Sequence, residues 1–155
     1  MQMPTRRSFM TQVARAGVSA WALAAGLLPR AVFAGDPRPA FDATAITEAL
    51  KAIGAEGAKE STEIAFKAPD IAENGAVVPV EIESKLPNTR GIAILVEKNP
   101  HVMSAEFAFP DGTEPFVATR VKVAESSLIH AVVKTDAGAF YTTKLVKVTL
   151  GGCGG

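Results

Sequence analysis

From residue 62 onward, apolar and polar residues follow the period-two pattern of β-strands. In segment 116–123, for example, Val117, Val121 and Val123 alternate with Arg120 and Lys122. Clusters of Pro, Asn, Asp, Gly, Glu and Ser separate seven such runs, at 62–68, 77–84, 92–97, 105–109, 116–123, 128–135 and 140–150. Seven short strands at near-regular spacing predict a mainly β protein, with an immunoglobulin-like antiparallel β-sandwich.

Two of these runs carry more specific predictions. Pro79 lies inside the second run, where proline cannot donate a ladder hydrogen bond, so we expect an edge strand or a bulge there. In the last run, Leu145 and Val146 are interleaved with Lys144 and Lys147, which predicts one buried and one solvated face. Because the last run leads directly into the C-terminal tail, we expect the tail to start at a sheet edge.

One short helix is predicted before the strands, over residues 42–54, after an irregular leader at 36–39. Asp42 or Thr44 can cap its beginning, and Gly54 suits its end. Its apolar face would consist of Ala45, Ile46, Ala49, Leu50 and Ile53.

The N-terminal segment has the pattern of an export signal. Arg6 and Arg7 precede a modestly apolar stretch at 13–28, and small residues at 32 and 34 favour cleavage after Ala34. The paired arginines and weak hydrophobicity resemble a twin-arginine (Tat) signal, which carries folded proteins to the periplasm. An ordinary Sec signal is the alternative. We expect no membrane attachment of the mature form, because the apolar stretch is short and ends at a proline.

Removal of residues 1–34 would leave 121 of 155 residues, enough for one domain at 35–150. The removed segment holds four arginines and no acid, so the 16 basic and 16 acidic residues become 12 and 16. The remaining basic residues form no cluster along the chain, so we expect no nucleic-acid partner. With one cysteine, the chain cannot form an internal disulfide.

That cysteine, Cys153, lies in the C-terminal segment 151–155, between Gly151–Gly152 and Gly154–Gly155. Glycines offer no side chain to bury and lose much conformational freedom on ordering, so we expect a mobile arm. A thiol on a thin arm can enter the narrow site of another protein. Since the tail has no cationic neighbour for Cys153, we expect its activation to come from the partner.

An exported, single-cysteine domain of one helix and about seven strands that ends Gly-Gly-Cys-Gly-Gly resembles the SoxY family of the periplasmic sulfur-oxidising (Sox) system. The resemblance implies a non-enzymatic carrier that holds sulfur intermediates covalently on Cys153, with no other cofactor. It also implies a SoxZ-like partner subunit. The enzymes that would act on the carrier are a SoxAX-type haem enzyme, a SoxB-type hydrolase and a SoxCD-type dehydrogenase.

Other classes of function fit the sequence less well. A copper-binding cupredoxin needs ligands after its cysteine, and only two glycines follow Cys153. His101 and Met103 are weak metal candidates that we expect in loop or interface packing, and His130 is expected to be a strand residue with a hydrogen-bonded ring. We therefore predict no metal site. An exported immunoglobulin-like binding domain with an incidental C-terminal thiol remains the main alternative.

Overall fold

The computed structural model describes residues 38–149, in which two short helices precede nine strands. The helices are α1 (Pro39–Asp42) and α2 (Ile46–Ala52). The strands are β1 (Lys59–Glu60), β2 (Ile64–Lys67), β3 (Ile71–Ala72), β4 (Val78–Ser84), β5 (Thr89–Val96), β6 (Met103–Ala108), β7 (Phe116–Val121), β8 (Ser127–Thr135) and β9 (Gly138–Val148). All seven predicted runs form strands, so the mainly β prediction is confirmed. The predicted signal (1–34) and arm (151–155) lie outside the described residues, and the proposed domain boundaries stay predictions.

The strands form two sheets. The smaller sheet is antiparallel and has the order β2-β4-β7. The larger has the order β1-β9-β8-β5-β6, and β3 also pairs with β9. The main apolar core lies between the sheets, where Val80 and Ile82 belong to the same buried cluster as Ile94 and Ile129. This packing of two mostly antiparallel sheets confirms the predicted immunoglobulin-like sandwich.

The two helices form a second core with the other face of the larger sheet. Ala49 of α2 is fully buried and shares this cluster with Ala93, Leu95 and Val132. Strand β5 therefore contributes side chains to an apolar cluster on each of its faces. This explains why its residues 92–96 form a continuous apolar run without alternation.

The predicted end of α2 at Gly54 is confirmed. Gly54 has a positive φ of 69°, which glycine adopts without strain. Its N–H donates to the carbonyl of Lys51 (3.1 Å), and the N–H of Ala55 donates to that of Leu50 (2.8 Å). These two bonds form the Schellman arrangement that closes many helices.

The predicted start of this helix is wrong by several residues. Residue Ala45 is the N-cap, and neither Asp42 nor Thr44 supplies a side-chain cap. The chain is extended at Ala43, because the Ala43 carbonyl accepts a hydrogen bond from the N–H of Val102 at 3.0 Å. This tertiary contact separates α2 from α1. Helix α1 begins at the last residue of the leader, which we had expected to be irregular.

The placement of Pro79 corrects the prediction of an edge strand or bulge. Strand β4 is the central strand of the smaller sheet. Pro79 lies opposite Arg120 of β7, whereas the pairing with β2 begins at Glu81, opposite Lys67. Because β2 ends before it reaches Pro79, the proline lies where β4 has a neighbouring strand on one side only.

Strand β9 also differs from expectation. It pairs with β8 on one side, and its other side pairs in parallel with β1 near its start and β3 near its end. It is therefore not a free sheet edge. The expected burial pattern holds for Val146, which is fully buried, but Leu145 is exposed on the opposite face.

Candidate functional site

The predicted sulfur-attachment residue, Cys153, lies outside the described residues, as do the arm glycines Gly151, Gly152, Gly154 and Gly155. The predicted export residues Arg6 and Arg7 also lie outside them. The structure describes the segment that precedes the predicted arm, from Lys147 to Thr149 at the end of β9, which we call the arm base.

Strand β3 holds one side of this base. The N–H of Lys147 donates to the carbonyl of Asp70 (2.9 Å), and the N–H of Thr149 donates to the carbonyl of Ala72 (3.1 Å). The Asp70 carboxylate also pairs with Lys144, at 3.3 Å. The backbone up to Thr149 is therefore bonded to a neighbouring segment.

Ser126 holds the other side. Its hydroxyl oxygen accepts a hydrogen bond from the N–H of Val148 (2.9 Å) and lies 3.4 Å from the Val148 carbonyl, to which it donates. The base is thus fixed from both sides of β9. An arm attached to it would start from a defined position and direction.

Gly75 lies close against the same segment. A Cβ atom at this position would lie 2.4 Å from the carbonyl oxygen of Val123 and 2.9 Å from Cγ1 of Val148. The carbonyl of Gly75 also accepts a hydrogen bond from the N–H of Val123, at 2.7 Å. Only glycine allows this approach, so the 74–77 turn can pack beside the end of β9.

The sequence marked Asn74–Gly75 and 125–127 only as turns. Their role in holding the arm base was missed because the bonds of Ser126 and Asp70 are made to residues that are distant in the chain. The turn composition was the only local signal, and it does not specify a partner.

His130 is a strand residue, as predicted, but among the described residues its Nε2 atom does not make the hydrogen bond that we expected. Its Nε2 atom is buried without a hydrogen-bond partner in the described part of the chain. The nearest carboxylate oxygen, from Glu97, is 3.8 Å away, which is too far for a hydrogen bond. Burial lowers the pKa of His130 below its usual 6.5, and the negative charge of Glu97 opposes this shift.

The ring of His130 borders an apolar cavity of about 240 Å³ between α2 and the larger sheet. The other lining residues are Ile46, Leu50, Ala58, Val132 and Tyr141. The centroids of the His130 and Tyr141 rings are 6.5 Å apart. His130 is therefore surrounded mainly by apolar groups. It lies opposite Thr143 of β9, several residues before the arm base.

His101 and Met103 do not form a joint site. His101 is exposed, and its Nδ1 lies 3.3 Å from the carbonyl of Asp42, whereas Met103 is buried in the helix-side core. Their separation agrees with the expectation of loop and packing roles. Within residues 38–149, no three His, Cys, Asp or Glu side chains come together as a metal site would require.

An open cavity of about 520 Å³ lies between the helices and strands β5 and β6. Its charged residues are largely paired: Lys134 lies 2.6 Å from Glu106. Arg90 binds Asp136 at 2.7 and 2.9 Å and also contacts Asp111. The bonds from Arg90 lower the pKa of the Asp136 carboxyl. These pairs offset the positive charges of Lys134 and Arg90 in the cavity wall.

None of the helices in the described range is long and apolar enough to cross a membrane.

The described fold defines a small two-sheet β-sandwich protein, and comparisons with known proteins identify the family. The family model "Sulfur oxidation protein SoxY" matches residues 49–153. The solved structure of the sulfur carrier protein SoxY from Chlorobium limicola f thiosulfatophilum is 34% identical, with a TM-score of 0.63. The match covers 70% of this chain and 96% of that one. The chain therefore belongs to the SoxY family, which supports a carrier role in sulfur oxidation.

A second structural similarity concerns the fold alone. The superoxide reductase (neelaredoxin) from Ignicoccus hospitalis is 25% identical, with a TM-score of 0.51, and the match covers 61% of this chain and 90% of that one. A comparison with curated protein sequences found no match. The β-sandwich is thus shared with a protein of a different named activity, so function has to be argued from the site.

Proposed function

We propose that this protein is a periplasmic carrier that holds sulfur intermediates of thiosulfate oxidation covalently on Cys153 and presents them to Sox enzymes. The observation that carries this proposal is that the SoxY match extends to residue 153, which is the only cysteine of the chain. The structural similarity to a sulfur carrier protein supports the same conclusion.

The first step of the proposed cycle joins thiosulfate to the carrier. The thiolate of Cys153 and the outer sulfur of thiosulfate form a sulfur–sulfur bond, and two electrons pass to a SoxAX-type haem enzyme. The product is a cysteine S-thiosulfonate. Sulfur is suited to this role because a thiolate is a strong nucleophile that forms stable bonds to sulfur.

The remaining steps regenerate the thiol. A SoxB-type hydrolase adds water to the terminal sulfonate group, which leaves as sulfate, and Cys153 keeps a persulfide. A SoxCD-type dehydrogenase then oxidises the outer sulfur to a sulfonate, with three water molecules supplying oxygen and six electrons passing to the enzyme. A second hydrolysis releases sulfate and restores Cys153. Each multi-electron conversion is thereby divided into separate steps on one covalent carrier.

The described residues contribute the position of the arm in this cycle. The β3 segment and Ser126 bond to the residues from Lys147 to Thr149, so motion would be confined to the segment beyond Thr149. From Thr149 to Cys153 the chain spans at most about 14 Å. We propose that partner enzymes use this fixed starting point to guide the thiol into their active sites.

The assembly and compartment form part of the same proposal. The protein would pair with a SoxZ-like subunit and be exported by the Tat route on the signal at 1–34. Because this route transports folded proteins, a partner without its own signal could cross already bound. The carrier itself would perform no catalytic step.

Substitution of the thiol tests the proposed function. In a reconstituted Sox system, Cys153→Ser should abolish thiosulfate oxidation while the variant still folds and binds its partner subunit, because an oxygen atom cannot form the required link. Thr149→Ser is the matched control, since serine retains the hydroxyl that Thr149 donates to Ala72. Thiosulfate oxidation by Cys153→Ser at the control rate would favour an exported binding domain with an incidental thiol.

A further inference from the structure

Large apolar side chains are exposed at the end of the sandwich that carries the arm. In the described residues, five such side chains are well exposed: Ile71 (59%), Val77 (51%), Phe116 (46%), Leu128 (37%) and Leu145 (50%). All except Phe116 lie near the end of β9. Exposed apolar side chains are ordinary when scattered, but a group around one structural feature indicates an interaction surface.

Three of these side chains share one face of the larger sheet. Leu128 lies directly opposite Leu145 in the β8–β9 ladder. Lys147 follows Leu145 by two residues, so the two side chains point to the same side of the sheet. Ile71 is paired with Lys147 and therefore also points to that side. We call Ile71, Leu128 and Leu145 the arm-base patch.

The fourth exposed side chain near the end of β9 is Val77. It lies beside the arm base, in the turn that leads into β4 of the smaller sheet. It follows Gly75 by two residues, and Gly75 packs against Val148. Phe116 lies at the other end of the smaller sheet, opposite Glu83, whereas the Val78–Val121 pair lies near the arm base. Phe116 therefore provides an internal reference for an exposed apolar side chain away from the arm.

The short arm limits where a partner can bind. Cys153 follows Thr149 by four residues, so an enzyme that acts on its sulfur must reach within about 14 Å of Thr149. Strand geometry places Ile71 at roughly 8 Å from Thr149, and Leu145 at about 13 Å along the same strand. The arm-base patch therefore lies within the distance that the rim of a cleft enclosing the thiol would span.

We infer that the arm-base patch is a docking surface for the enzymes that act on Cys153, and that these enzymes carry an apolar rim around the cleft that admits the arm. This inference rests on the proposed function. A carrier has to leave each enzyme after one step, and small interfaces, below about 1,200 Å², are typical of such transient encounters. A patch of three apolar side chains suits a weak contact that several enzymes share.

The test compares the patch with the reference side chain. The full-length carrier with its partner subunit would be prepared as Ile71→Ser/Leu145→Ser and as Phe116→Ser. Each would be converted to the Cys153 thiosulfonate, and sulfate release by the purified hydrolase of the proposed cycle would be measured. We expect the patch variant to lose about tenfold in kcat/KM, mainly through KM, since tenfold corresponds to roughly 1.4 kcal/mol of binding.

Three comparisons separate this result from other effects. Phe116→Ser should stay within about twofold of wild type, because rim substitutions away from a contact are energetically small. Labelling of Cys153 by iodoacetamide should be equal in all carriers, which would show that the thiol remains accessible. Equal thermal unfolding midpoints would show that the patch variant is folded.

Two outcomes would overturn the inference. One is an equal kcat/KM for the patch variant and Phe116→Ser. The other is loss of the partner subunit from the patch variant, which would show that the patch belongs to the permanent subunit interface. Neither outcome bears on the proposed function, which fails instead if Cys153→Ser still supports thiosulfate oxidation.

Discussion

The hydroxyl oxygen of Ser126 lies 2.9 Å from the backbone nitrogen of Val148 and 3.4 Å from its carbonyl oxygen. One side chain thereby satisfies both backbone groups of a residue five positions before the only cysteine. This contact and the parallel pairing with β3 fix the end of β9. The part of the molecule that we propose to move is thus attached to a firmly held strand.

Ser126→Ala should lower the free energy of unfolding by about 1 to 2 kcal/mol, because it leaves the part-buried N–H of Val148 without its acceptor. Urea titration measures this loss. Ser61→Ala is the control, since the Ser61 hydroxyl oxygen makes only an exposed local contact with the N–H of Glu63. A loss for Ser126→Ala no larger than the control's would show that the contact does not hold β9.

Gly75→Ala should destabilise the fold by about 1 to 3 kcal/mol, the usual cost of inserting a methyl group into a packed site. The new Cβ would meet the Val123 carbonyl oxygen at 2.4 Å, and backbone there cannot yield easily. The measurement is the free energy of unfolding in urea.

Gly54 provides the matched comparison, because its constraint is a positive φ with open space around it. Asparagine tolerates this conformation, so Gly54→Asn should be milder than Gly54→Ala. Gly75→Asn should instead be at least as harmful as Gly75→Ala. If asparagine restored stability at Gly75, the close approach to Val123 would not be the reason for the glycine.

Stability should fall as the pH drops below about 6.5, partly through His130. Burial lowers the pKa of His130 in the folded state, so between that pKa and 6.5 the unfolded chain binds more protons than the folded one. The contribution of neutral His130 to the free energy of unfolding is therefore fully present above pH 6.5 and is lost as the pH falls below that value. Unfolding free energies measured between pH 7.5 and 5.5 test this.

His130→Gln should flatten this pH dependence relative to wild type, whereas His101→Gln, at an exposed position, should leave it unchanged. The carboxylates are common to all three proteins, so their titration cancels in the comparison. A pH profile of His130→Gln that overlays the wild-type profile would contradict the assignment.

The proposed export route predicts that Arg6→Lys combined with Arg7→Lys leaves uncleaved precursor in the cytoplasm, because paired arginines distinguish a Tat signal. Fractionation and immunoblotting measure precursor and mature protein. Arg15→Lys, in the same segment, should be processed normally. Normal processing of the double variant would favour the Sec alternative.

The sequence predicted the strands well because their signals are local. The alternation of Val117 and Val121 with polar residues follows from a sheet that buries one face, and the structure confirms it. Strands β1 and β3 were missed because two residues carry no period, and they exist only through their pairing with β9. Leu145 was misplaced because apolar character alone does not say which face of β9 is buried.

For the arm base too, the sequence gives local signals but does not reveal contacts between residues that are distant in the chain. Composition alone predicts an arm at the glycines and Cys153, and this stays a prediction, whereas the contacts of Ser126 and Gly75 depend on residues more than 20 positions away. His130 shows the limit for polar groups, since its unpartnered nitrogen results from packing that no local pattern encodes.

The central claim is that Cys153 carries the sulfur intermediates, and intact-mass spectrometry tests it most directly. The wild-type carrier would be incubated with thiosulfate and a SoxAX-type haem enzyme, next to Cys153→Ser. We predict that the intact wild-type carrier gains the mass of one S-thiosulfonate group, and that the Cys153→Ser variant gains none. Thiosulfate oxidation in the complete system with Cys153 free of any sulfur adduct would contradict the account.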